Sequence, residues 1–490
     1  MIYSNAPVIC NNGTLTPFTP TSQDPWNETK IKHAFRRLSF GGNQAAIDAA
    51  LPITPLIFID QLVDVAAGLP ANPAPAWGYY SVSDFNNYSA ENGQYFTELR
   101  TQTVNDFLDE GLRGRISFFW MNHFVIQQQI VGHTPHLFQY YNLIQTHALG
   151  NFKEFVRAIG TTSGMLLYLN GFENTNTAPN ENYARELYEL FTMGEGSGYT
   201  QADIVNTARA LTGYNHRSEP GAQIYFDNST FDNQTKEIFG QQGNWGYYDV
   251  IDILFQERGN EIAQFICKKL YRYFVGPEIT PQIEADVIGP LAQIFVTSNF
   301  ELVPVLKLLF KSEHFFNENS IGTIIKSPFD SVLNFINESD FLYENGFCDS
   351  LIYHCKMVGQ DLFNPPDVAG WQRDETWIST STIIGRWKLL EAYINYLYAH
   401  NHQGSFVNLA KALTNNSNDP AYITMAIVDF FNARPLYSTI DYDIATVIFK
   451  ADVPQNHYDN GIWNLDAASA PHQVSLLLKH LAKIPEFQLK

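Results

Sequence analysis

Apolar residues recur at three- and four-residue spacing in segment after segment from residue 28 to residue 483. This helical period constrains the chain more than any other feature, because a strand needs a period of two. ETKIKHAFRRL reads as a helix stopped by Gly41-Gly42. Further helices are expected at roughly 95–110, 112–129, 135–149, 151–169, 180–193, 200–212, 247–256, 259–274, 283–297, 301–310, 326–337, 384–400, 405–413, 420–432 and 472–483. Only residues 222–239, AQIYFDNSTFDNQTKEIF, combine alternation with turn residues, and they suggest a small β-hairpin. Residues 68–94 and 358–382 are rich in Pro, Gly and Asn or Trp and read as loops. Residues 1–27 read as an irregular N-terminal arm. No low-complexity linker and no internal repeat interrupts the rest. The expected fold is mainly α: a large single-domain, helical bundle-like array over 28–490 with one small β-hairpin near 222–239.

Hydrophobic residues make up 45% of the 490 and charged residues 16%, which is a folded composition rather than a disordered one. The formal net charge is −20, with no Lys/Arg cluster to interrupt it. Such a field repels phosphate backbones and anionic surfaces, so nucleic acid is not an expected partner. No run of about 18 apolar residues exists, so no membrane span is expected. The first residues lack a basic stretch followed by an apolar run, so no signal peptide is expected in the sequence as it stands. Four cysteines make no disulfide framework. Cys348 and Cys355 on one helix would have Cα atoms about 10 Å apart, too far for a bridge.

The densest chemistry lies in NENYARELYELFTMGEGSGYTQADIVNTARALTGY, residues 180–214. Asn180 can cap a helix there. At 100° per residue Tyr183, Ala184, Leu187, Leu190 and Phe191 share one side, while Glu181, Asn182, Arg185, Glu186, Tyr188 and Glu189 share the other. Glycines 194, 196 and 198 turn the chain, and Thr200 with Asp203 forms a capping-box start for a second helix, whose polar side carries Asp203, Asn206 and Arg209. Two readings follow. In one, these are amphipathic surface helices with i,i+4 pairs worth about 0.2–0.5 kcal/mol each. In the other, the polar faces are buried: two carboxylates three or four residues apart then bind a divalent metal or share a proton, and Arg185 clamps an anionic group.

Other residues carry weaker signals. His123 sits among Phe118, Phe119, Trp120 and Phe124. Such a histidine is usually bonded to a carbonyl or carboxylate, and with Glu186 or Glu189 it would form an acid–base pair. His133 and His136 lack the Glu and the spacing of a helical zinc motif. Arg36 and Arg37 diverge by about 100° on a helix, so one of them is expected to be structural. Trp371 and Trp377 either stack on a flat ligand or plug the core. There is no phosphate loop and no G-x-S-x-G elbow.

The 180–214 stretch resembles the hallmark of a large bacterial family, domain of unknown function 1800. HAFRRLSFG at 33–41, FWMNHF at 119–124, LGNFKEF at 149–155, GMLLYLNG at 164–171, KSPFD at 326–330, GQDLFNPPDVAGW at 359–371 and PEFQ at 485–488 resemble further elements of that family. Many relatives carry His at the position of Phe191 and His-Asp at Phe231-Asp232, so this chain departs from them there. The resemblance implies a mostly helical fold, an exported or cell-envelope setting and a companion protein of alkaline-phosphatase-like fold. It implies no activity.

Two functional classes follow. One is an enzyme with Glu181, Arg185, Glu186, Glu189 and His123 as catalytic groups and Asp203, Arg209, Trp371 and Trp377 contacting substrate, performing acid–base or metal-assisted hydrolysis or transfer. The other is a non-catalytic scaffold or partner-binding protein whose Glu/Arg network is structural. They differ in whether those groups converge on an open cavity.

Overall fold

The computed structural model describes residues 14–490. Among these residues helices predominate, and the strands form two separate two-stranded antiparallel ribbons. The segment expected as one hairpin contributes a strand to each. Tyr225–Phe226 pairs back with Tyr214–His216, and Lys236–Ile238 pairs forward with Gln241–Gly243. Local backbone explains the second ribbon. Phe239 and Gly240 both have positive φ, 49° and 81°, as a two-residue turn of the type that matches strand twist requires. Between the ribbons the chain is tied elsewhere: Asn176 N–H donates to the Thr230 carbonyl at 2.8 Å.

Helix Tyr88–Asp109 begins inside the stretch expected to be loop, because the Asn87 side chain caps it on Ala90 N–H at 3.4 Å. The helix expected over 112–129 ends early, as Leu112–Met121, and releases Asn122 and His123 into a turn. Helices Gln44–Ala50, Pro55–Gly68 and Thr439–Phe449 lie outside the expected set. One apolar cluster runs from Phe18 to Phe487. Residues 14–27 of the arm lie on that body: Phe18 is buried, and its N–H donates to the Lys311 carbonyl at 2.8 Å. No helix of the described residues is long and apolar enough to cross a membrane. Cys267, Cys348 and Cys355 are buried free thiols, while Cys10 lies outside the described residues.

The expectation that one of Arg36 and Arg37 is structural falls short, because both are buried. Arg36 pairs with Glu338 through two bonds of 2.5 and 3.0 Å and also donates to the Phe430 carbonyl. Arg37 donates to the Ser320 carbonyl at 2.7 Å. The KSPFD segment carries a further buried charge. Asp330 accepts from Ser327 N–H to close a capping box on helix Pro328–Ser339. The same carboxylate is ion-paired to Arg115 and, at 2.6 Å, to Lys490. Burial pushes the Asp330 carboxyl up, but these two cations outweigh it and hold it well below the usual carboxylate range.

Candidate functional site

Helix Asn182–Glu186 starts after Asn180, whose side chain accepts Asn182 N–H at 2.9 Å. It continues as a π-helical turn, Leu187–Thr192. The wider turn rotates the faces relative to an ideal α-helix. Tyr188, expected on the polar side, is therefore fully buried, with its hydroxyl on Thr207. Gly194, at φ 91°, ends the helix, where an added Cβ would lie 2.8 Å from the Phe265 ring.

The charged groups of this stretch satisfy one another near the surface. Arg185 bonds Glu189 at 3.2 Å, Glu181 at 3.3 Å and Gln201 at 3.1 Å. Tyr199 donates to Glu189 at 2.8 Å. The Arg185 side chain is 39% exposed and that of Glu181 40%, so solvent screens the pair. Glu186 is half-buried, and burial followed by the Glu189 charge raises its carboxyl. Asp203 accepts Thr200 N–H at 2.8 Å and Phe239 N–H at 2.8 Å, joining the second helix to the ribbon turn. Arg209 holds Asp232 at 2.7 and 3.3 Å. None of Glu181, Arg185, Glu186, Glu189, Asp203 and Arg209 lines the cavity described next.

That cavity, about 100 Å³, is walled by Phe118, Phe119, Tyr273, Trp371 and Trp377, and it has room for several waters or a small polar group. Both tryptophans are buried. Trp371 stacks on Phe118 with centroids 5.3 Å apart and donates its indole N–H to the Asp361 carbonyl at 3.0 Å. Its backbone N–H donates to Asn122 Oδ1 at 2.5 Å. The preceding Gly370 has φ 96°, and a Cβ there would sit 2.7 Å from the Asn122 carbonyl. Only glycine lets the two segments meet so closely. FWMNHF and the Gly370-Trp371 end of the second loop thus form one wall.

His123 follows Asn122 and is also buried. Its Nε2 faces the Phe191 carbonyl at 2.9 Å, which can only accept, so Nε2 carries the proton. Nδ1 is then an acceptor for Lys269 Nζ at 2.9 Å. A carbonyl or carboxylate partner was expected for His123, with Glu186 or Glu189 making an acid–base pair; the structure supplies the Phe191 carbonyl, and a lysine in place of a carboxylate. Lys269 also donates to the Leu190 carbonyl at 3.3 Å. Leu190 and Phe191 lie in the last turn before Gly194, where carbonyls lack intrahelical partners. The 180–214 stretch therefore reaches His123 and Lys269 through its backbone, not through its carboxylates.

Burial, and then the Arg373 charge, push the Lys269 amine down to about 7. Burial and the Lys269 charge hold His123 well below its ordinary value. Arg272 and Arg373, both exposed, stand at the rim with Asp374, whose charge acts on both; among the described residues no ion pair within 4 Å joins either arginine or Lys269 to a carboxylate. Sequence reasoning missed Lys269. A signal existed: Ile262, Ile266, Lys269 and Tyr273 share one helical stripe, so a lysine occupies an otherwise apolar face.

Among the described residues no three His, Cys, Asp or Glu side chains gather as a metal-binding set. His133 and His136 pack ring on ring, 4.7 Å between centroids, and His133 bonds the Tyr80 carbonyl at 2.8 Å. A larger groove of about 820 Å³ adjoins the cavity and shares Ile325, Arg373 and Asp374 with it.

Comparison with curated proteins returns no match, and neither does comparison with solved structures. A family model does match, over residues 33–489, which takes in both loops, the His123 turn, the Lys269 helix and the 180–214 stretch. The chain belongs to the family described as protein of unknown function (DUF1800).

Proposed function

We propose that the chain is an enzyme whose site is the aromatic-walled cavity, taking a small anionic substrate and moving protons through Lys269 and His123. The observation that carries this reading is a set of three cations, Lys269, Arg272 and Arg373, lining one cavity with no ion pair within 4 Å among the described residues, although Asp330 and Asp374 line it too, in a chain of net charge −20. Unpaired cations beside a low-dielectric wall attract an anion, and an arginine can bind one with two parallel bonds. A buried amine that releases its proton near neutral pH suits acid–base work. Trp371 and Trp377 form the flat walls against which the substrate packs. In this reading Glu181, Arg185, Glu186, Glu189, Asp203 and Arg209 support the site: they hold the helix pair whose end carbonyls orient His123 and Lys269.

The test is calorimetric titration of small carboxylates, phosphates and sulfate at low ionic strength. Binding is expected to weaken with added salt and to fall about tenfold or more in Arg373→Gln, the loss of one charge-assisted pair. No binding by any of these anions, or equal binding by the variant, overturns the reading.

A second reading, partner binding, has its own observation. Ile440, Ile444 and Val447 form an exposed apolar stripe on helix Thr439–Phe449, and Tyr422 and Met425 are exposed on the adjoining helix. Size-exclusion chromatography with light scattering, run on the wild type and on Ile444→Glu, tests whether that face holds a partner chain.

A further inference from the structure

Lys269 differs from the two arginines beside it. A tetrahedral nitrogen has four positions. One is taken by its own Cε. Two point to acceptors, His123 Nδ1 at 2.9 Å and the Leu190 carbonyl at 3.3 Å. A neutral amine has two N–H groups, which these acceptors occupy, so its lone pair takes the fourth position on the side of the cavity that Lys269 lines. Charge alone would be served as well by a third arginine, and it would not call for a proton-accepting imidazole behind the nitrogen. An amine with its lone pair presented to a cavity, flanked by cations that disfavour its protonated form, is an activated nucleophile.

We propose that Lys269 forms an imine with a small carbonyl compound that carries a carboxylate or phosphate, the anionic group resting on Arg272 and Arg373. The amine nitrogen bonds to the carbonyl carbon, and the carbonyl oxygen becomes a hydroxyl. One of the two nitrogen protons passes through His123 Nδ1 to the carbonyl oxygen to make that hydroxyl, and the second follows the same path to it, so that the oxygen leaves as water while the C=N bond forms. Atoms and charge balance, and neither an oxidant nor a reductant enters. His123 keeps its other proton on the Phe191 carbonyl throughout. Lys269 is the catalytic residue, and His123 positions it and carries the proton. The inference rests on the cavity being an anion site.

The test treats the full chain with pyruvate, and separately with glyoxylate, in the presence of cyanoborohydride at neutral pH, followed by intact mass and peptide mapping. The expected result is a single reduced adduct on Lys269, formed at least about tenfold faster than on the average exposed lysine. Propionate, an anion without an aldehyde or ketone carbonyl, should slow it by competition. Lys269→Arg should remove the adduct, and the propionate competition in the wild type serves if that variant does not fold. Labelling spread over surface lysines without preference for Lys269 overturns the imine. If propionate still binds in that case, the anion-site reading stands and only the imine is lost. If it does not bind, both are lost.

Discussion

Lys269 Nζ lies 2.9 Å from Nδ1 of His123, a nitrogen that has no proton of its own to offer. The lysine is therefore the donor in this bond whether charged or neutral. Burial, with Arg373 beside it, brings the amine down to about 7. Competitive acetylation across pH 5 to 10 is expected to give Lys269 a midpoint near that value, several units below the exposed lysines. A midpoint shared with the exposed lysines would contradict the geometry.

Lys326 is a fully buried lysine, with no hydrogen-bond partner among the described residues and the Phe487 ring 4.1 Å from its nitrogen. Burial, followed by Arg36, lowers its amine from 10.5 to about 7. Between those values the unfolded chain holds more protons than the folded one, so this group makes stability rise with pH, by at most about 1.4 kcal/mol per unit. The penalty is complete below about 7 and gone above 10.5. Lys326→Met is expected to stabilise the fold by about 1–3 kcal/mol at pH 7 and to flatten that rise. Urea denaturation at pH 7 and pH 9 measures both.

Asp330 is the opposite case, a buried carboxylate facing Arg115 and Lys490. Removing its charge leaves two cations without their partner. Asp330→Asn should cost about 3–5 kcal/mol at neutral pH. Its folded value lies below 3.8, so the stability it contributes is full above the unfolded value and is lost as pH falls towards the folded one. The variant should accordingly lose less stability than the wild type between pH 5 and pH 3, as followed by thermal unfolding.

Gly370 stands where a side chain would strike Asn122, at a φ of 96°. Gly370→Ala should cost about 2 kcal/mol or more through overpacking and backbone strain. It should also displace Trp371 from Phe118, which would shift the tryptophan emission. A variant of wild-type stability and unchanged emission would show that the two loops do not meet as described.

Arg185 makes three polar contacts and is still 39% exposed. Screening makes such pairs weak, and Arg185→Ala is expected to cost under about 1 kcal/mol. Because its network lies apart from the cavity, anion binding should survive the change. A loss of binding without a loss of stability would place Arg185 in the site instead.

Helical periodicity was enough to foresee a mainly α chain, since amphipathic stripes such as Ile262, Ile266 and Leu270 depend only on local spacing. The capping box of Thr200 and Asp203 was legible for the same reason: both its hydrogen bonds close within three residues. Local rules failed where a long-range contact or an unusual turn prevailed. The π turn at Leu187–Thr192 buried Tyr188 and left the Leu190 and Phe191 carbonyls for partners far away in sequence. Trp371 and Trp377 could be singled out as aromatic residues in a glycine- and proline-rich loop, but not as two walls of one cavity.

The sequence by itself determined the fold class, the family and the residues rich in chemistry, because composition, period and motif are carried along the chain. Only the tertiary structure decided which of those residues meet. It set Glu181, Arg185 and Glu189 against one another near the surface and brought His123 to Lys269 across 146 positions. The pairing of buried polar groups is settled by which partners remain once the apolar faces have packed, and no local pattern records that outcome.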